Sequence, residues 1–541
     1  MIQRSRRLLA GALVAVCTSG ALVGCSSDAQ RRARHQARAE SFLEEGKPRE
    51  ALIELRSALK LDPKNSPLHF RIAQVFEGIG DLKEALFFYQ EALRLAPEEN
   101  AAALAIARLL LFDEPDRAAE LIEGVLARHP DDANAYIRRS ELALARGNTA
   151  DALRDARLAV EKAPKSHMPH FQEGLVHRAR VRERKLLRQP EDPQIFAEAL
   201  KAFDEGLAVA PADAPVNEVV SGALERAYVF SEWVERRAEA GPAYRRALEL
   251  AKEGQSLVEQ LRVLREAQSY AQRVGDKELE HWALDTQIAL DPRSYAAWAR
   301  LAGLEPGDAV PKRLIETLPD DGRAHSLYAR ILWDRGREDE ALAHLREVEG
   351  RVADPVPLRA AQAELLIEGE RLDDARPLVE ALEREQPERP ETLDVASFLA
   401  MRERRYADAA GLLRKLIERR ETARAQHRLA ESEFRMRSYA PSLVAVNRAL
   451  DLVGNEDERM QMLRLKARIE AASRDPEAAL LTMRRLRRLR GGTLRPDDVP
   501  TLARALYATK RSDVARIVLR EAIASETAVL GSFLLYLRHE A

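Results

Sequence analysis

A set of small and helix-breaking residues returns every 34 positions along this chain. Gly46, Ala51, Ala58 and Pro63 are followed 34 residues later by Gly80, Ala85, Ala92 and Pro97. Ala118 and Pro130 stand 33 beyond Ala85 and Pro97. Gly147, Ala152, Ala159 and Pro164 come next, with Pro164 again 34 beyond Pro130. A fixed period of this length means one supersecondary unit, repeated and stacked. Small residues such as Ala85 and Ala92 let two helices approach closely. Gly80 suits the turn between them, where a left-handed backbone is cheap only for glycine. Pro97 ends the second helix, because it cannot continue the hydrogen-bond ladder. Between these marks, Ile72, Val75 and Phe76, or Leu86, Tyr89 and Leu93, fall at helical spacing. Alternating runs of β-branched residues are absent, while the strong helix formers Ala, Leu, Arg and Glu dominate. The expectation is an all-α chain in which each helix pair contacts only its neighbours.

The helix, turn, helix and proline plan resembles the tetratricopeptide repeat family, most clearly from 32 to 166. The resemblance implies an α-solenoid of antiparallel helix pairs stacked into a right-handed superhelix. Beyond 166 the pattern drifts. Pro164 to Pro211 is 47 residues, so repeat five holds an insert at about 181–194, rich in Arg and then in Pro. Further units centre on Ala240, Tyr244 and Ala247, then on Gly275 and Pro292. Cleaner ones return with Gly336 and Ala341, Ala375 and Pro387, Ala409 and Ala449. The stretch 292–320 holds Pro292, Pro306, Pro311 and Pro319 and reads as a degenerate unit or a joint. The expected organisation is a solenoid over 32–291, that joint, and a second solenoid with capping helices over 321–541.

In this family the first helix of each unit lines the concave face, and its fifth position points into the groove. That position falls on Phe70, Leu104, Ile137 and Phe171. The column is either a stripe for an extended or helical peptide or packing on the adjacent unit, which is the commoner role of apolar residues at helical spacing. Phe70 and Phe171 are the aromatic candidates for a contact surface. Gln74 and Arg108 lie one turn further on as candidate polar groove partners. The Lys and Asn clamp by which some family members grip a C-terminal carboxylate is replaced here by Gln36, Glu40, Phe70 and Gln74, so cochaperone activity of that kind is not implied.

Two basic clusters stand out. Arg178, Arg180, Arg182, Arg184, Lys185 and Arg188 surround the insert. Arg484, Arg485, Arg487, Arg488 and Arg490 precede Gly491-Gly492, with no acid from Met483 to Leu494. Either could meet an anionic polysaccharide or lipid head groups, or be a solvated helix face balanced by nearby acids. His167, His170 and His177 have metal-like spacing but fall on packing positions, so no metal site is assigned. There is no GxxxxGK[ST], HExxH, GxSxG or CxxC motif. No catalytic residue and no cofactor are expected, and the chain is read as a non-enzyme.

The N-terminus reads as an address. Arg4, Arg6 and Arg7 precede the apolar run Leu8–Val16, too short to span a membrane. Leu22-Val23-Gly24-Cys25 resembles the bacterial lipobox, which implies cleavage after residue 24 and lipidation of Cys25 within the short linker 25–31. Two or more acyl chains give stable anchoring. Ser26, rather than Asp, favours the outer membrane by the same resemblance. Arg31, Arg32 and Arg34 would lie near the head groups. Cys17 leaves with the signal, so the mature chain has no disulfide. With 86 basic and 88 acidic residues the net charge is −2, which argues against nucleic acid as a main partner. The expectation is a lipid-anchored periplasmic scaffold in an envelope assembly or export machine, exopolysaccharide secretion included. The alternatives are a glycan-binding accessory lipoprotein, in which Trp298 and Trp333 could serve the groove, and a cytosolic cochaperone with a misread signal.

Overall fold

Side-chain caps and breakers divide the chain into helices almost as the period requires. The Asn65 side chain accepts from the Leu68 amide at 3.1 Å and opens the helix Ser66–Gly78. Asp132 does the same for Ala133–Ala145, and Asn148 for Thr149–Lys162. Gly80 and Gly147 turn the chain between the two helices of their units with φ of +83° and +74°. In later units Glu370, Arg404 and Arg437 occupy the same left-handed turn at φ of 59–63°, which is costlier for a residue with a Cβ.

The computed structural model describes residues 28–454, 456–489, 494–524 and 529–540. Cys25, the signal-like segment and Arg490 lie outside the described residues. Among the described residues there are 29 α-helices and two short 3₁₀ helices, and no strand. Ala51, Ala58, Ala85, Ala92, Ala118, Ala152 and Ala159 are fully buried at the helix–helix crossings. The small residues of the period are thus the points of closest backbone approach.

The chain forms two compact units, one ending at Ala283 and the other starting at Leu284. Within each, a helix packs on the next in sequence, and the first helices of successive repeats also touch one another. Ala133–Ala145 meets His167–Leu186 in this way, and Val356–Glu368 meets Pro390–Arg402. Elements that reach past a neighbour lie on the inner side of a curved stack, so in each unit the first helices form the inner face. The proline-rich stretch 292–320 folds as the helices Tyr295–Leu304 and Ala309–Thr317. Both pack on Gly322–Asp334, inside the second unit. Their core is Trp298, Leu301, Val310 and Leu314.

A hydrogen bond recurs at the junction of units. The carbonyl of the proline that ends one repeat accepts from a side chain six residues on. The pairs are His69 to Pro63 at 3.0 Å, Tyr136 to Pro130 at 3.0 Å, His170 to Pro164 at 3.0 Å, Trp298 to Pro292 at 2.9 Å and His325 to Pro319 at 2.8 Å. Each fastens the end of one second helix to the next first helix. Each also engages a turn carbonyl two residues past the end of the second helix.

Candidate binding face on the first helices

Three of the four residues of the apolar column are buried. Leu104, Ile137 and Phe171 are 6%, 1% and 5% exposed, and are core. Phe171 sits against Gly206 and Gly222, where a Cβ would lie 2.6 and 2.3 Å from its ring. Phe70 is half-buried and meets Tyr89 edge-on, ring centroids 5.2 Å apart. Of the two roles open to this column, packing is the one that Leu104, Ile137 and Phe171 take, while Phe70 keeps part of its ring exposed. Trp298, a candidate glycan platform, is likewise buried, with its indole N–H spent on Pro292.

What lines the inner face is a ladder of charge. In the first unit Arg71 donates through Nε to Glu40 at 2.9 Å and through Nη1 to Gln74 at 3.2 Å. Arg108 pairs with Glu77, which also accepts from Tyr89 Oη at 2.9 Å. Arg138 donates to Glu141 at 2.7 Å. Burial pushes the Glu141 carboxyl above its ordinary range, against the pull of Arg138 and Arg108. Further on, Arg178 is paired with Glu225 and Glu232, and its guanidinium lies 4.6 Å from the centre of the Tyr228 ring. Gln74 and Arg108 thus both stand on this face, Gln74 held by Arg71 of its own helix and Arg108 by Glu77 of the preceding repeat.

The second unit repeats the arrangement with longer reach. Arg330 on Gly322–Asp334 pairs with Glu368 and approaches Glu364 at 3.4 Å. Glu364 also takes Arg424 from two repeats on. Arg428 donates to Asp394 at 2.9 Å and stands 4.1 Å from the centre of the Phe398 ring. Arg323 donates to Glu391 at 2.9 Å. Burial raises Glu364, but the charges of Arg424, Arg330 and Arg428 outweigh it and hold the carboxyl below its ordinary value. Exposed ion pairs contribute only about 0–1 kcal/mol each. The outer rungs, such as Arg71 with Glu40 at 37% and 49% side-chain exposure, therefore add little stability. They do hold charge in fixed places, and a ligand ion could replace either partner at small cost.

The two basic clusters part company. Arg178, Arg180 and Arg182 face Glu225, Glu198 and Glu232, so half of the first cluster belongs to the fold's own ion pairs. Arg484, Arg485, Arg487 and Arg488 are exposed on the helix Pro476–Leu489. His167, His170 and His177 turn to different partners: Glu218 at 2.9 Å, the Pro164 carbonyl, and Glu198 at 3.2 Å. The ladder escaped a reading built on apolar periodicity. Its signal was present as charge: Glu40 with Arg71 and Glu77 with Arg108 are each 31 residues apart, a repeat length less one helical turn.

Tetratricopeptide repeat models match residues 42–109, 104–167 and 308–355. The chain carries tetratricopeptide repeats. Anaphase-promoting complex subunit 3 of Schizosaccharomyces pombe is 31% identical over 96 residues, 18% of this chain and 14% of that protein, so the match spans well under two thirds of this curated relative. Among solved structures, a tetratricopeptide repeat protein from Parabacteroides merdae is 16% identical, covering 51% of this chain and all of its own, with a TM-score of 0.33. MamA from Desulfovibrio magneticus RS-1 is 19% identical over 33% of this chain and 94% of its own, with a TM-score of 0.26. The tetratricopeptide repeats account for the stacked pairs and the inner face, and they support a protein–protein interaction scaffold.

Proposed function

We propose that this chain is a lipid-anchored envelope scaffold, tethered through Cys25, whose first-helix faces hold charged segments of partner proteins. The observation that carries the binding reading is the charge ladder that each unit carries, from Glu40 to Glu232 in the first and from Arg323 to Arg428 in the second. Most of its cations and carboxylates are fixed by neighbouring repeats, and its outer rung, Arg71 with Glu40, is open to exchange. A partner segment carrying both signs could replace individual rungs without leaving a charge unpaired. The lipobox-like Leu22-Val23-Gly24-Cys25 and Ser26 support an outer-membrane anchor facing the periplasm. Assembly or export machines of the envelope, polysaccharide secretion among them, are the setting that this combination suits. The proposal assigns no catalytic residue and no cofactor.

A photo-crosslinking residue at Gln74, on the inner face, should capture envelope proteins in intact cells. The same residue at Phe87, exposed on the helix Leu82–Leu95, should not. Capture from Phe87 alone, or of cytosolic proteins only, would overturn the reading. Membrane fractionation with and without globomycin, and of Cys25→Ala, tests the anchor. A precursor that does not accumulate, together with a variant that stays in the cytosol, would sink that part.

A further inference from the structure

Repeat five differs from the others by an overhang, and the overhang encloses a cavity. The helix His167–Leu186 runs for 20 residues, against 13 for Ser66–Gly78 and Ala133–Ala145. The insert at about 181–194 is in its first half two further helical turns, since no Pro or Gly interrupts Val181–Gln189. The chain then reverses through Arg188, at φ +55°. Arg184 holds the return by donating from Nε and Nη2 to the Pro190 carbonyl at 3.2 and 3.1 Å. Asp192 caps the next helix through the Gln194 amide at 3.1 Å.

Between overhang, loop and the end of the helix Val216–Glu232 lies a cavity of about 250 Å³. Its floor is apolar: Val181, Ile195 and Phe196. Phe196 is fixed by stacking on Trp233, centroids 5.1 Å apart and planes 12° from parallel. The rim carries Arg182, Arg184, Lys185 and Arg188. Arg182 is committed to Glu232 at 3.3 Å and Arg184 to the loop carbonyl. Of the lining acids, Glu232 is shared by Arg178 and Arg182, and Asp192 is engaged as a cap. Lys185 and Arg188 remain exposed, with only Glu191 among the lining residues to balance them. Two free cations thus stand over an apolar hole that exists only because this repeat is longer.

We infer that this cavity binds a small carboxylate bearing one compact apolar group, phenyl or branched alkyl. The apolar group would sit against Val181 and Ile195, above the buried Phe196, and the carboxylate would take Lys185 and Arg188. The volume is just below the usual range of about 300–1,000 Å³ for ligand pockets, which limits the occupant to a single side-chain-sized group. Charge-assisted bonds to the two cations supply orientation and most of the selectivity. The carboxylate could belong to a free organic acid or to the terminal residue of a polypeptide. The site goes beyond the scaffold reading and does not depend on it.

The test is calorimetric titration of the full chain with Gly-Gly-Phe, with its C-terminal amide, and with N-acetylphenylalanine, repeated on the double variant Lys185→Gln, Arg188→Gln. Trp233 fluorescence follows occupancy in parallel. Both substituted side chains are exposed, and circular dichroism checks that the variant is folded. The expected result is millimolar or tighter binding of the free acids, about tenfold or more weaker for the amide and for the double variant. Equal binding of tripeptide and N-acetylphenylalanine identifies a small-acid site, and tripeptide alone identifies a chain-terminus site. Equal affinity for acid and amide, unchanged affinity in the variant, or no binding of any of the three at millimolar concentration would each overturn the inference.

Discussion

Lowering the pH should loosen the second unit through one histidine. His325 Nε2 faces the Pro319 carbonyl at 2.8 Å and can only donate to it. Its Nδ1 is then an acceptor, and it lies 3.0 Å from His344 Nε2. His344, on the helix Glu338–Val348, therefore serves as a neutral donor, packed at 4.5 Å against the Tyr328 ring. Burial first, and the neighbouring His325 second, push the His344 pKa down to about 4, with Glu347 opposing weakly. A histidine whose folded pKa lies below its unfolded value of about 6.5 contributes its full stabilisation above that value. The contribution is lost as pH falls from about 6.5 towards 4. By linkage the loss relative to pH 7 is about 2 kcal/mol at pH 5 and about 3 kcal/mol at pH 4. Urea unfolding followed by tryptophan fluorescence reads the effect, because Trp298 and Trp333 lie in the second unit. His344→Gln keeps a neutral donor and removes the titration. Its unfolding midpoint should fall less than the wild-type midpoint between pH 7 and pH 5. Parallel pH dependence of the two proteins, or an imidazole NMR titration that places His344 near 6.5, would refute the reasoning.

Three further outcomes follow from packing. Phe171→Ala should cost about 3–5 kcal/mol as a core cavity, and Gly222→Ala about 1–3 kcal/mol by overpacking against the Phe171 ring. The double variant should lose clearly less than the sum in denaturant unfolding, since the cavity accepts the methyl group. Arg428→Met should destabilise by about 3 kcal/mol, as for one broken buried pair, because Asp394 loses its ion-pair partner and Phe398 the nearer of its two cations; hydrogen exchange would show the loss centred on the helix Pro390–Arg402. Trp298→Phe removes the donor to the Pro292 carbonyl and leaves a gap at a fully buried position, and should lower the unfolding midpoint by the equivalent of about 1–3 kcal/mol.

Much of this architecture was legible because the residues that set it are chemically narrow. Ala51, Ala85 and Ala118 stand where backbones meet, and Gly80 and Gly147 stand where φ is positive, so their spacing alone declares paired helices. Later turns were harder to see because Glu370, Arg404 and Arg437 hold the left-handed position without glycine. The role of the apolar column stayed open between binding and packing for a physical reason. Leu104, Ile137 and Phe171 show that a residue has a helical side, but the side is fixed only by what crosses it, and here Gly206 and Gly222 leave Phe171 a socket. The overhang of repeat five was hidden by its composition, since an Arg-rich run looks like a solvated loop until its lack of breakers is weighed. The proline bonds were likewise visible as a donor six residues after Pro63, Pro130, Pro164, Pro292 and Pro319, yet only the fold brings donor to carbonyl.

The most direct test of the ladder as a partner-binding face is a charge swap on its exposed rung. Glu40→Arg with Arg71→Glu keeps the ion pair and reverses its polarity, so the fold should be retained by circular dichroism and thermal melting. Affinity purification from crosslinked cells, quantified by mass spectrometry against wild type, should then lose the envelope proteins recovered with the native chain. Undiminished recovery of the same partners by the swapped protein would contradict the claim that this face holds them.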